Sequence, residues 1–281
     1  MREVGRIDTA DLFPELDAQL IPLLRGLSDE DWSRPAVGSW TVKDVAAHLL
    51  DTAIRRLSFD RDRLPLVPPD GPIEGYADLV GFLNDLNHVW VKAMQRVSPR
   101  LLTDFLEKTG AELSEHFAGL DPSAPALFSV AWAGEETSES WFDVAREYTE
   151  RWHHQQQIRE AVGAAGLTSR RLMHPVLDAF LRGLPHAYRG VEADEGSAVA
   201  VEITGEAGGE WALVRESGRW RLYEGVPVDP HGPRAWVRLS QDTAWRRMTK
   251  GITEEQAAER SEVAGERRLG EPVFGMLSVM A

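Results

Sequence analysis

Residues 146–163 read REYTERWHHQQQIREAVG. They fall in a stretch that reads as one long helix, from about Ser138 to Val162, ended by Gly163. Glu150 and His154 are four apart, so on a helix their side chains leave the same face about one turn from each other. That spacing lets two side chains grip one metal ion. The face through Glu147, Glu150, His154, Ile158 and Ala161 mixes charge with apolar residues where a bundle core is apolar. A buried carboxylate needs a partner or a metal. The competing reading is a solvent-facing stripe whose acids pair with Arg146, Arg151 or Arg159, and spacing alone does not separate the two.

A second stretch, SWTVKDVAAHLLD at 39–51, supplies what the first lacks. Thr41 suits the N-cap of a helix, and Val42, Val45 and Leu49 form its apolar stripe. His48 stands at the edge of that stripe, where its ring points toward a bundle interior. A lone histidine there is more often a satisfied core residue. Together with the Glu150/His154 pair it becomes a candidate for a third metal ligand. Two histidines and a glutamate leave one tetrahedral position open, as in catalytic rather than structural metal sites. Other pairings compete less well. Glu112 and His116 share the i, i+4 spacing but lie in a segment full of charge, which reads as a solvated face. Glu150 with His153, and Asp85 with His88, fit the i, i+3 element of di-iron bundles, but the further inward glutamates of that class are missing. His186 and His231 sit beside proline and glycine and read as surface or turn residues. No glycine-rich phosphate loop, nucleophile elbow or zinc-protease signature is present.

Working outward, residues 1–165 read as helices joined by short breaks. Asp8 or Thr9 caps a helix to about Gly26. The Thr41 helix follows, then a Pro/Gly loop, LPLVPPDGPIEG. A helix runs from Tyr76 to about Val97, and Ser98-Pro99 restarts another to about Gly119. Four long helices with such connections predict a bundle. From residue 166 the character changes. One more helix precedes SAVAVEITG, EWALVRE, GRWRLYEG and RAWVRLS, alternating runs that read as hairpin strands, and QDTAWRRMTKG and GEPVFGMLSVMA read as helices. The expected fold class is therefore α plus α+β, with a helical bundle at 1–165 and a smaller α+β domain at 166–281.

The chain has 281 residues, 43% of them hydrophobic and 27% charged, enough to bury a real core. A net charge of −14 argues against nucleic acid and anionic membranes as partners. It also means that an anionic substrate needs a local basic pocket. With no cysteine, disulfides, thiolate metal sites and cysteine nucleophiles are excluded, and thiol chemistry requires a thiol from outside. No leader-like segment follows Met1 and no run of apolar residues is long enough to span a membrane, so a cytoplasmic protein is expected.

The GSWTVKDVAAHLLD segment, the E-x-x-x-H within ERWHHQQQIREAVG and the α+β region after them resemble the mycothiol-dependent maleylpyruvate isomerase family, part of the wider DinB-like group of metal-binding four-helix bundles. The resemblance covers essentially the whole chain. It implies a divalent metal, usually zinc, held at positions that match His48, Glu150 and His154. It also implies a low-molecular-weight thiol as cosubstrate and a small electrophilic, anionic substrate. Bound to the metal, the thiol sulfur loses its proton near neutral pH and adds to the substrate carbon. An isomerase then eliminates the thiol after bond rotation; a transferase keeps it attached. Arg55, two turns beyond His48, is a candidate for holding a substrate carboxylate. The family's C-terminal domain lends an active-site arginine, for which Arg234, Arg238, Arg246 and Arg247 compete, with Arg238 preferred. The family often has Asp-Ile-Arg after the second histidine, whereas this chain has Gln157-Ile158-Arg159. Two rival functions remain at this level: metal-assisted hydrolysis with Glu147 as base, and a metal-binding or regulatory module without turnover.

Overall fold

Thr41 starts the helix that carries His48. Its side chain accepts the Asp44 N–H, and the Asp44 carboxylate accepts the Thr41 N–H at 2.9 Å, a capping box that satisfies two donors left over at the helix end. The structure, a computed structural model, describes residues 1–69, 71–227 and 232–278. In chain order they form β1 (Arg2–Glu3), α1 (Phe13–Arg25), α2 (Asp29–Trp32), β2 (Pro35–Val37), β3 (Trp40–Thr41), α3 (Val42–Arg56), α4 (Tyr76–Met94), α5 (Pro99–Ala118) and α6 (Ser140–Val162). There follow α7 (Arg170–Leu181), α8 (Leu184–Ala187), β4 (Ala198–Thr204), β5 (Gly209–Glu216), β6 (Arg219–Glu224) and β7 (Ala235–Ser240). The described chain closes with α9 (Gln241–Met248), α10 (Glu254–Glu259), β8 (Glu262–Gly265) and α11 (Arg267–Gly270). His231 lies outside the described residues.

Two compact units result, one helical and one built on a sheet, so the fold class is α plus α+β. The helical unit comprises Thr9–Leu127 and Glu147–Leu167. Its core joins Leu20 and Leu24 of α1, Val42, Val45 and Leu49 of α3, Leu102 and Leu106 of α5, and Ile158 of α6. Each such fully buried aliphatic side chain contributes about 1.5–3 kcal/mol relative to exposure. The Trp90 indole on α4 donates to the Ala47 carbonyl at 2.8 Å and so ties α4 to α3. Arg151 of α6 donates to Asp17 of α1 at 2.6 Å, and Arg159 caps the Gln19 and Ala165 carbonyls.

The sheet unit comprises Met1–Asp8, Phe128–Arg146 and the chain from Thr168 onward. It differs from a single cut near residue 165, for a reason no local pattern reveals. Arg2 pairs with Glu224 and Glu3 with Tyr223, so the N-terminus supplies an edge strand. The strand order is β1-β6-β5-β4-β7-β8. The first hairpins are as the alternation predicts, with Ser217 and Gly218 both at positive φ in the β5–β6 turn. RAWVRLS departs from that expectation. As β7 it pairs in parallel with β4, beyond the hairpin that precedes it, and a period of two specifies a strand but not its neighbour. GEPVFGMLSVMA departs as well: a 3₁₀ turn at Glu271–Gly275 replaces the expected helix, and 279–281 lie outside the described residues. Among the described residues no helix is long and apolar enough to cross a membrane.

Candidate metal centre

Helices α3 and α6 bring His48, Glu150 and His154 together. One ligand atom from each lies within 4.8 Å of the others. Metal–ligand bonds of about 2 Å place donors on one ion about 3–4 Å apart, so small side-chain adjustments suffice to seat it. The rings of His48 and His154 are 4.7 Å apart between centroids, with planes at 82°. His154 Nε2 and Glu150 Oε2 face each other at 3.2 Å across one helical turn. His153, next in sequence, is outside this group, because one residue turns about 100° around the helix.

The residues fit a divalent ion. His48 is buried, and its Nδ1 has no hydrogen-bond partner. An orphaned buried nitrogen costs stability unless something satisfies it. Burial, then the charge of His154, pushes the His48 pKa down to about 3, so the imidazole is neutral and its lone pair free at neutral pH. Burial alone would raise the Glu150 carboxyl. The hydrogen bond and charge of His154 outweigh it and hold the group at about 2, so it is ionised. At His154, Nδ1 is 2.8 Å from the Gln157 side-chain oxygen and must donate to it. Nε2 is the nitrogen that faces the Glu150 carboxylate, at 3.2 Å, and on a neutral ring it is the one left to coordinate an ion. Three quarters or more of the Glu150 and His154 side chains is buried, unlike a solvent-facing stripe. Arg146 pairs with Asp143 and Arg151 with Asp17, and Arg159 serves backbone carbonyls.

The remaining sequence candidates are distributed as follows. Arg55 follows His48 by two turns of α3, with Nη2 3.1 Å from Asp51 and 3.5 Å from Asn87, while its Nε is buried without a partner. Glu147 is buried on α6 but is not one of the three clustered ligands. Arg238 is half-exposed in the sheet unit and bonded to Glu202 at 2.9 Å, with Glu262 3.8 Å away. Arg234, Arg246 and Arg247 have carboxylate partners within that unit. His116 corrects the expectation of a solvated face: its side chain is mostly buried and its Nε2 meets Asp60 at 2.9 Å, because α3 continues as a π-helical turn at Leu57–Arg61 that reaches α5. Asp85 and His88 are exposed.

Three residues near the ligands carry roles the sequence reading did not give them. Trp40 packs its ring 5.2 Å from that of His48. Asp51 is buried beside Arg55, and burial raises its carboxyl pKa against the opposing pull of that arginine. The i, i+4 acid-to-arginine spacing in HLLDTAIRR was the available signal. Gln157 stands three residues after His154 and four after His153, and reaches both.

A family model, the mycothiol maleylpyruvate isomerase N-terminal domain, matches residues 13–159, just over half of the chain's 281 residues. The chain belongs to this family. All three clustered ligands fall inside the matched span. Among solved structures, the crystal structure of the mycothiol-dependent maleylpyruvate isomerase is similar, with a TM-score of 0.50 and 13% sequence identity, over 85% of this chain and 86% of that one. At that identity the likeness is one of fold, and it extends past the family domain into the sheet unit. No curated protein matches the chain.

Proposed function

We propose that this member of the mycothiol maleylpyruvate isomerase family is a divalent-metal enzyme, with zinc as its ion. It uses a low-molecular-weight thiol of the mycothiol kind to isomerise, or transfer sulfur to, a small electrophilic and anionic substrate. The observation that carries this reading is the convergence of His48, Glu150 and His154, with ligand atoms within 4.8 Å, on two helices of the family's own domain. A divalent ion held by these residues supplies a thiolate at neutral pH by lowering the pKa of a thiol that coordinates it. The absence of cysteine makes an external thiol necessary.

The chain's own residues take the other tasks. His48 and Glu150 are held in their ligand-ready protonation states by burial and by His154. Arg55 binds the substrate carboxylate: about a quarter of its side chain is exposed, and its Nε has no partner. Asp51, 3.1 Å away, fixes the direction of that guanidinium. Glu147, buried one turn before Glu150, is the proposed base of the hydrolytic alternative.

The test is zinc-loaded protein assayed on maleylpyruvate with and without mycothiol. Isomerisation that requires both zinc and thiol is the expected result. Turnover that is zinc-dependent but indifferent to thiol would replace this reading with metal-assisted hydrolysis. Stoichiometric zinc with no thiol binding by titration would replace it with a non-catalytic metal module.

A further inference from the structure

A single side chain touches two adjacent histidines, the candidate ligand His154 and its neighbour His153. The Gln157 Oε1 lies 2.8 Å from His154 Nδ1, and its Nε2 lies 3.0 Å from His153 Nε2. The amide oxygen can only accept and the amide nitrogen can only donate. His154 therefore donates from Nδ1, and in its neutral form the lone pair lies on Nε2, the nitrogen facing Glu150. His153 accepts at Nε2 and carries its proton on Nδ1. Its ring centre is 5.2 Å from that of His154, and its side chain is buried.

We propose that Gln157 is a positioning residue of the metal centre: its carboxamide selects the ligating tautomer of His154 and at the same time occupies Nε2 of His153, so that only one of the two neighbouring histidines is offered to the ion. The inference rests on the metal reading above. A carboxylate here could accept from His154 but could not donate to a neutral His153. Glutamine does both, and it adds no charge beside Glu150. The side chain that orients a ligating histidine commonly governs metal affinity about 10–100-fold.

Long-range ¹H–¹⁵N spectra of the metal-free protein report both imidazole tautomers directly. The expected result is Nδ1–H for His154 and for His153. Gln157→Met, nearly isosteric, should lose the fixed His154 tautomer and weaken zinc binding about 10–100-fold in chelator competition. Gln157→Glu should keep His154 as Nδ1–H, recover zinc binding to within a few-fold of wild type, and flip His153 to Nε2–H. A packing role alone would not separate Met from Glu in this way. His154 found as Nε2–H in the wild type, or wild-type zinc affinity in Gln157→Met, would overturn the inference alone. Wild-type protein with the expected tautomers that binds no zinc would overturn the metal reading instead.

Discussion

The imidazoles of His48 and His154 meet nearly perpendicular, with centroids 4.7 Å apart and planes at 82°. One belongs to α3, started by the Thr41 capping box, and the other to α6, which Arg151 and Arg159 fasten to α1. Neither ring is placed by its own helix alone. Their approach is set by the packing of Val45 and Leu49 with Leu20, Leu106 and Ile158 in one core.

Removing His48 should therefore abolish tight metal binding without unfolding the chain. His48→Ala is expected to weaken zinc binding by more than about 100-fold, since loss of a ligand exceeds the effect of losing a residue that only orients one. Circular dichroism should remain unchanged. His153→Ala should keep one ion per chain by elemental analysis, because His153 is outside the three-residue group. If His153→Ala loses the metal and His154→Ala retains it, the register assigned to α6 is wrong.

Arg55→Ala should lower kcat/KM for an anionic substrate by about 10–100-fold, the worth of one charge-assisted hydrogen bond of about 1.5–3 kcal/mol. Zinc content should not change, because Arg55 is not among the ligands. Asp51→Asn should give a smaller loss in the same direction, since it leaves the guanidinium in place but frees its orientation. Equal rates for wild type and Arg55→Ala would remove Arg55 from substrate binding.

Arg151→Met should destabilise the chain by about 3–5 kcal/mol in urea unfolding, because it leaves Asp17 with a buried, uncompensated carboxylate. Asp17→Asn combined with Arg151→Met should recover much of that loss. Gly110→Ala probes the same place from α5. A methyl there would meet Asp17 and sit 2.9 Å from Arg151 Nη2, so the ion pair would have to move. An unchanged unfolding midpoint in both single variants would show that this pair contributes nothing.

Acid should destabilise the metal-free protein through its buried histidines. Burial, then the charge of His154, takes both His48 and His153 down to about 3, against 6.5 for an ordinary histidine. The folded-state pKa is the depressed one, so below about pH 6.5 the unfolded chain binds protons that the folded chain refuses. Their contribution to stability is intact above that pH and is lost progressively as pH falls toward 3. Imidazole Cε1–H resonances of His48 and His153 should stay fixed from pH 8 to 5. A midpoint near 6.5 for either would refute its neutral burial.

Much of this was legible in the chain. Periodicity and caps mark the helices: Thr41 and Ser98 each accept a backbone N–H at the start of α3 and α5, as those residue types favour at helix N-caps. The Glu150/His154 pair is local, fixed by the pitch of one helix, and so it too was readable. What the sequence left open was whether Glu150 turned to the arginines or to a metal. Tertiary packing bears on that choice: it engages Arg151 with Asp17 and Arg159 with backbone carbonyls, and it brings His48 across from α3 to the Glu150/His154 pair. The parallel pairing of β7 with β4, the N-terminal edge strand and the burial of His116 against Asp60 were also beyond reach of the pattern. Each depends on contacts between residues tens to hundreds of positions apart, whereas capping and helical spacing act within one or two turns.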